Sequence, residues 1–238
     1  MTLLLEVGGV RWARLLGRVN RFTVEVADGG GGSRRLCHLH DPGRLVHLLR
    51  PGARVLVRDA WRPGRRTSCD VVAVEHGGLL VLEDTRLPNK LFPRAAATLL
   101  PWLRVGASEV QVNGFRVDFA GSTVDGRPVL VEVKGTNLVE DGVALFPDAP
   151  SRRAVRQLEA LASASSAGAL GVVVFTVLRP DARLVAPNRA VDPVFASRLC
   201  ALRGRLRYVA YTVEARLEDG GSVLRVYMGG RVPVEACG

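Results

Sequence analysis

The chain has 238 residues, 47% of them hydrophobic and 24% charged, a composition that indicates a folded globular protein and excludes a disordered or collagen-like one. Its 33 basic and 23 acidic residues give a net charge of +10, which excludes an acidic solvating protein and favours a polyanionic partner such as nucleic acid. The longest apolar run, Gly168 to Leu178, is too short to cross a bilayer, and the first residues do not read as a secretory leader. We therefore expect a cytoplasmic protein with no membrane partner.

The first third of the chain predicts a β structure. Branched residues recur in short runs separated by turn residues. One short helix is predicted after Asp41, with Pro42 at its first position and Pro51-Gly52 beyond its end. These features predict a small closed barrel of the OB type over residues 1–85, with a β-sandwich as the alternative. The predicted strands are Thr2–Val7, Leu15–Ala27, Arg34–His40, Ala53–Asp59, Ser68–Glu75 and Leu79–Asp84.

The remainder, residues 86–238, alternates between helix and strand patterns and predicts a mixed α/β domain with helices on the faces of a sheet. Helices are predicted over Pro88–Trp102, Arg152–Ser165 and Pro193–Leu202. The continuous apolar run Leu170–Leu178 predicts a central strand covered on both faces. The other predicted strands are Glu109–Val112, Phe115–Gly121, Val129–Lys134, Tyr208–Leu217 and Val223–Met228.

Three residues predict a catalytic metal site. Glu132 and Lys134 are two positions apart, so a strand places them on the same face, and Asp118 belongs to the preceding hairpin. Carboxylates that converge in this way suit Mg²⁺ or Mn²⁺, with Glu109 as a third metal ligand and Lys134 serving the attacking water. Lys134 is one of only two lysines in a chain whose basic residues are otherwise arginine, which suggests a need for its compact ammonium. The alternative is a Glu–Lys pair on a solvated strand face.

Arginines supply the predicted nucleic-acid surface. The loop from Trp61 to Arg66 is rich in arginine and carries an aromatic ring that either stacks on a base or folds into the core. Arginines also lie at the starts of two predicted helices, after Asp41 and at Arg152, and in the run Asn20-Arg-Phe22. The candidate nucleic-acid-binding residues are Arg21, Arg44, Arg62, Arg65, Arg66, Arg152, Arg153 and Arg156.

Cysteine and histidine are less informative. Four cysteines form no C-x-x-C pair, and buried free thiols are expected, with a Cys37–Cys69 bridge as the alternative. His38 and His40 share a strand face and could bind a transition metal, but they have no evident third ligand.

Asp118 with Glu132-Val-Lys134 resembles the signature of the PD-(D/E)XK nuclease superfamily. A second resemblance covers nearly the whole chain and is to the sugar fermentation stimulation protein A (SfsA) family. Its motifs, in chain order, are Asn20-Arg-Phe22, His40-Asp-Pro-Gly-Arg44 with Pro51-Gly52, Pro88-Asn89, Glu109-Val110, Arg116-Val-Asp-Phe119, Glu132-Val-Lys134 and Phe146-Pro-Asp-Ala149.

The resemblance implies an OB-fold joined to a nuclease-like domain, DNA binding, and transcription regulation in sugar metabolism. Two departures stand out. The chain has His40-Asp-Pro-Gly-Arg44 where the family has Asn-Thr-Gly-Arg, and Gln157 at a family histidine position.

We therefore expect a DNA-binding protein with a nuclease-like divalent-metal site. One alternative is an active Mg²⁺-dependent endonuclease, and a second is a sugar or phosphosugar binder.

Overall fold

The computed structural model describes residues 1–29, 32–43, 45, 47–112 and 114–237. The chain divides into two compact units. The first comprises Met1–Leu87 with Val213–Met228, and the second comprises Pro88–Thr212 with Gly229–Gly238. The predicted boundary after residue 85 stays a prediction. It differs from the observed division in one segment, because residues 223–227 return to pair with the N-terminal strand.

A closed barrel forms the centre of the first unit. Strands β2 to β6 pair in the order β4-β3-β2-β5-β6, and β4 also pairs with β6, which closes the ring; β7 continues the sheet from β6. Alternate residues such as Val24, Val26, Val55 and Val57 are fully buried inside it. The strands are β1 (Leu3–Gly8), β2 (Val10–Asn20), β3 (Thr23–Asp28), β4 (Arg34–His38), β5 (Arg54–Asp59), β6 (Cys69–His76) and β7 (Leu79–Leu82).

The helix predicted after Asp41 is wrong within the described residues. The Asp41 carboxylate accepts the Gly43 N–H at 2.8 Å, which forms a local turn rather than a helix cap. Leu45 has φ of 49°, a left-handed conformation that interrupts a helix, and its carbonyl closes a single turn with Leu48 and Leu49.

Two disulfides contradict the expectation of free thiols. Cys37 on β4 is bonded to Cys69 on β6, at the parallel pairing that closes the barrel. Cys200 is bonded to Cys237. The Cys37–Cys69 alternative is the correct one, since the closed barrel brings the two Cα atoms to 4.4 Å.

The second unit is a mixed sheet with helices packed on it. The full seven-stranded order is β1-β16-β15-β13-β10-β9-β8, in which β1 and residues 213–228 are assigned to the first unit and β10, β13 and β15 are mutually parallel. Leu158 and Leu161 of α2 are fully buried in one core with Val173 and Phe175 of β13. The elements are α1 (Leu87–Leu99), β8 (Leu103–Val112), β9 (Phe115–Thr123), β10 (Pro128–Thr136), β11 (Val139–Glu140), β12 (Val143–Phe146), α2 (Arg152–Ser166), β13 (Leu170–Val177), β14 (Leu184–Pro187), α3 (Pro193–Ala201), β15 (Arg207–Glu218) and β16 (Val223–Val232).

A small second sheet, β11-β12-β14, was not predicted because its strands have only two to four residues. No helix within the described ranges combines the length and apolar character needed to span a bilayer.

Candidate functional site

The candidate site lies where β9 and β10 stop pairing. Their antiparallel register runs from Pro128 opposite Ser122 to Val131 opposite Phe119 and ends there. The next free N–H of β10, that of Val133, donates instead to Oδ2 of Asp118 at 2.8 Å. The Asp118 carboxylate therefore takes the place of a backbone carbonyl and is fixed beside the residues that follow Val131 on β10.

Asn89 holds the other oxygen of Asp118. Its Nδ2 donates to Oδ1 at 2.9 Å. Asn89 lies in the first turn of α1, and that turn is held against β10 by Gly135, where a Cβ would lie 2.4 Å from Cγ of Pro88. The absence of a side chain at Gly135 thus allows the close approach that brings Asn89 to Asp118.

Glu132 and Lys134 project from the same face of β10 toward α2, as predicted. Nζ of Lys134 donates to Oε1 of Glu132 and to Oε1 of Gln157, each at 2.7 Å. The Glu132 and Lys134 side chains are only 3% and 10% exposed, so the solvated surface pair is not what the structure contains. Gln157 of α2 is also buried.

One carboxylate oxygen of this cluster has no hydrogen-bond donor. Oε2 of Glu132 is buried and unpaired among the described residues. Burial raises the pKa of Glu132 to about 7, with the Lys134 ammonium opposing the rise and the nearby Asp118 carboxylate adding to it. A buried, donor-free carboxylate oxygen beside a second carboxylate is an arrangement that a hard divalent cation satisfies. The residues present therefore fit Mg²⁺ or Mn²⁺.

Glu109 is the predicted third carboxylate ligand, and that role stays a prediction. It lies between Ser108, opposite Phe119, and Val110, opposite Val117, so the register places it across from Asp118, and its φ is 54°. Its side chain is 66% exposed and lies 3.7 Å from Arg116. Across the described ranges, no group of three or more His, Cys, Asp or Glu side chains is arranged to hold a metal ion.

The first turns of α2 carry three of the predicted arginines. Arg152, Arg153 and Arg156 are all exposed. Arg153 is four residues before Gln157, so it lies one turn away on the same side of the helix. The second unit therefore presents exposed cationic side chains at the start of α2, the helix that carries Gln157.

The arginines predicted on the barrel divide into two groups. Arg21, Arg62 and Arg66 are exposed. Arg65 instead donates to Oγ1 of Thr67 and to the Ala60 carbonyl, each at 2.8 Å, and pairs with Asp70. It stabilises its own loop, so its assignment to the nucleic-acid surface is not favoured by the geometry. Arg44 lies outside the described residues.

Trp61 and the histidines complete the predicted features. The Trp61 side chain is exposed, with 69% of its surface accessible, so it does not fold into the core. The rings of His38 and His40 meet edge to face at 4.3 Å, and Nε2 of His40 lies 3.2 Å from Asp70. Burial, with help from Arg86, lowers the pKa of His40.

Comparison with known proteins identifies the family. The profile described as the SfsA N-terminal OB domain matches residues 16–83. The profile described as the sugar fermentation stimulation protein RE domain matches residues 86–219. The chain belongs to the sugar fermentation stimulation protein family.

Relatives and a solved structure agree with this assignment. The sugar fermentation stimulation protein homolog of Moorella thermoacetica is 43% identical over 79% of this chain and 82% of the relative. The homolog of Chloroflexus aurantiacus is 38% identical over 94% of this chain and 85% of the relative. SfsA of Pyrococcus furiosus, solved in complex with Ca²⁺, is 26% identical, covers 99% of this chain and 100% of its own, and has a TM-score of 0.84. The predicted OB-type barrel followed by a mixed α/β domain is confirmed, and the nuclease-like character of the second domain stays a prediction.

Two residues that the sequence did not assign to the site belong to it. In the sequence, Asn89 stands out only as part of the family motif Pro88-Asn89, and Gln157 only as a departure at a family histidine position. The signal for Asn89 was its place in that motif, and the signal for Gln157 was its spacing four residues after an arginine on a predicted amphipathic helix.

Proposed function

We propose that this protein binds DNA and holds a divalent cation, Mg²⁺ or Mn²⁺, at Asp118 and Glu132. The observation that carries the proposal is the buried, donor-free Oε2 of Glu132 beside the Asp118 carboxylate. Ionising the buried Glu132 at neutral pH therefore costs free energy, and a bound cation would offset that cost. The Ca²⁺ complex of Pyrococcus furiosus SfsA supports the choice of a hard divalent ion.

The chain's own residues prepare the site for this ion. Asn89 and the Val133 N–H occupy one lone pair on each oxygen of Asp118, which fixes the carboxylate and leaves a lone pair on each for a ligand. The Lys134 ammonium donates to Oε1 of Glu132, which leaves Oε2 available to bind the cation. A bound cation would supply charge stabilisation to phosphate oxygens of DNA.

DNA binding is supported by exposed cationic side chains at the start of α2, the helix that carries Gln157. Arg152, Arg153 and Arg156 are exposed at the start of α2, and the chain carries a net charge of +10. Arginine forks match the geometry of phosphate oxygens and neutralise backbone charge without reading sequence.

The metal site is tested by titration calorimetry with Mn²⁺. We expect the wild-type protein to bind one Mn²⁺ and Asp118→Asn to bind it at least tenfold more weakly, because the amide keeps the hydrogen bond from Val133 but loses the charge. Glu140→Gln, at an exposed glutamate of the same unit with no predicted ligand role, is the matched control and is expected to bind as the wild type does. Unchanged Mn²⁺ affinity in Asp118→Asn would contradict the proposed site.

DNA binding is tested separately, by titrating a labelled duplex in EDTA and in Mn²⁺ at two salt concentrations. Salt-sensitive binding that persists in EDTA supports a DNA-binding protein. No binding in either buffer contradicts it.

Phosphodiester cleavage is a second candidate function, favoured by the buried ammonium of Lys134. Its two hydrogen bonds to Glu132 and Gln157 hold it in place within the carboxylate cluster. There it can stabilise charge on a phosphate or position a water molecule. We expect Lys134→Met to abolish nicking of supercoiled plasmid in Mg²⁺, and Lys90→Met, at the exposed second lysine, to retain it. Equal residual nicking by both variants would identify a contaminating nuclease.

A regulatory role in sugar metabolism, a cytoplasmic location and the binding of a sugar or phosphosugar stay predictions. No contact among those described above favours them.

A further inference from the structure

The barrel exposes large apolar side chains on one of its faces. Phe22 is 43% exposed, Leu36 is 39% exposed and Trp61 is 69% exposed. A small barrel that leaves rings in solvent forgoes the stabilisation that burial would give them, so these side chains suggest a binding surface.

Phe22 is held in place by its turn. Oδ1 of Asn20 accepts the Phe22 N–H at 2.8 Å. The Arg18 guanidinium donates to the carbonyls of Asn20, Arg21 and Gly43, at 3.2, 2.8 and 2.7 Å. The loop that joins β2 to β3 is therefore rigid, and a ligand that contacts the Phe22 ring would not have to order it first.

Strand β4 connects this ring to the loop that carries Trp61. The Phe22 and His38 rings are almost parallel, 14° apart, with centroids 6.3 Å apart. Leu36 is two residues before His38 and so lies on the same outer face of β4. The Leu36 carbonyl accepts the Ser68 N–H at 2.9 Å, which anchors the loop between β5 and β6 to this strand. Both loops thus border one face.

The charges around this face are cationic. Arg21, Arg62 and Arg66 are exposed in the two loops. The Arg21 guanidinium lies over the Phe22 ring, 5.2 Å from its centroid, so a base that stacks there releases it to meet a phosphate. Glu25, opposite Leu36, is paired with Arg34 at 3.7 Å.

We propose that this face binds single-stranded DNA, with a base stacked on Phe22. The inference rests on the DNA-binding function proposed above and assigns it a substrate class on the first unit. Flat rings beside arginines favour a single strand, since only an unpaired base offers its face for stacking, whereas duplex DNA presents phosphates and base edges. In OB barrels, oligonucleotides bind the face formed by the second and third barrel strands and the loops that follow the first and fourth. Here β3 and β4 are the second and third barrel strands, and the two loops follow β2 and β5, the first and fourth.

The test compares two labelled oligonucleotides of equal length and charge, about 12 nucleotides long. One is oligo(dT), and the other has abasic sites in place of the bases. Fluorescence anisotropy with the full-length protein gives the ratio of their affinities. We expect the wild-type protein to prefer oligo(dT), and Phe22→Ala to reduce that preference about tenfold while leaving abasic binding unchanged. Phe22→Trp should retain the preference.

The control is Leu3→Ala, a truncation at an apolar residue of similar exposure, 40%, in the same unit but outside the barrel strands. It should behave as the wild type does. Equal binding of the two oligonucleotides by the wild type, or an unchanged preference in Phe22→Ala, would overturn the inference.

Duplex binding measured in the same buffers separates the two proposals. If the duplex binds but the base preference is absent, the stacking face alone is wrong. If neither duplex nor single strand binds, the proposed DNA-binding function is wrong as well.

Discussion

Glu132 is a buried acid whose ionisation opposes folding. Its pKa rises from 4.5 to about 7 when burial removes it from water. Below pH 4.5 it is protonated in both the folded and unfolded states; between these two values only the folded state keeps the proton. The contribution of this group to the free energy of unfolding is therefore largest below pH 4.5, and it is lost as the pH rises through 7.

The variant Glu132→Gln should remove this dependence. In EDTA, we expect the wild-type protein to lose on the order of 3 kcal/mol more stability than Glu132→Gln between pH 5 and pH 8, as an upper limit. The amide cannot ionise and still accepts from Lys134. Urea unfolding at both pH values measures the difference, and Glu140→Gln, an exposed glutamate of the same unit, controls for general charge effects. Parallel pH profiles for wild type and Glu132→Gln would contradict the assignment.

The sequence predicted the central residues of the site because they follow local rules. Glu132 and Lys134 share a face through the two-residue period of a strand, and Asp118 lies on its neighbour. Asn89 and Gln157 could not be assigned to the site, because their contacts cross 29 and 23 residues and depend on how α1 and α2 pack. The ligand role of Glu109 stays a prediction, since the positive φ and the exposure of this residue cannot be read from residue types.

At the level of elements, the contact between α1 and β10 depends on Gly135. A methyl group there would lie 2.4 Å from Cγ of Pro88, so the helix start must move away and carry Asn89 with it. We expect Gly135→Ala to destabilise the protein by about 1–3 kcal/mol and to weaken Mn²⁺ binding.

Thermal unfolding and calorimetry measure these two effects. Gly204→Ala, where an added Cβ meets nothing within 4 Å, is the control in the same unit and should change neither. Wild-type stability in Gly135→Ala would show that the helix start adjusts without cost.

The Cys37–Cys69 disulfide joins β4 to β6 at the point where the barrel closes. It spans 32 residues of chain, a loop whose closure stabilises the folded state by about 3–4 kcal/mol in the chain-entropy description. We expect the double variant Cys37→Ala/Cys69→Ala to lose stability of this order in urea unfolding. The Cys200→Ala/Cys237→Ala variant opens a loop of similar length, 37 residues, and should lose a similar amount of stability. Equal stability with and without the β4–β6 bond would contradict the prediction.

The long elements were predicted well, and the irregular ones were not. Apolar runs located most barrel strands, although the predicted strand Leu15–Ala27 covers parts of both β2 and β3. The continuous apolar run identified β13, which is buried along almost its whole length. The segment after Asp41 was predicted as a helix from its cap-like residues, but the turn at Gly43 and the left-handed Leu45 prevent one. The short strands β11, β12 and β14 have too few residues for any periodic signal.

For the whole molecule, the net charge of +10 predicts that DNA binding weakens with salt. The slope of log affinity against log salt concentration counts the phosphates contacted. Arg66→Ala should reduce the magnitude of that slope by about 0.9 for duplex DNA.

Arg65→Ala provides the contrast. It should mainly lower stability, because Arg65 holds Thr67, Ala60 and Asp70 of its own loop. Duplex titrations at four salt concentrations, with Arg231→Ala as an exposed arginine of the last strand for comparison, measure the slopes. An unchanged slope in Arg66→Ala would remove this arginine from the interface.

The return of residues 213–228 to the first unit limits how the gene can be divided. A fragment ending at Leu87 would contain β1 but lack residues 223–227, the strand with which β1 pairs. Its exposed main-chain donors and acceptors would then recruit another chain, so such a fragment should precipitate or form multimers even with its barrel intact. Separate expression of this half needs the C-terminal hairpin joined back to it by a linker.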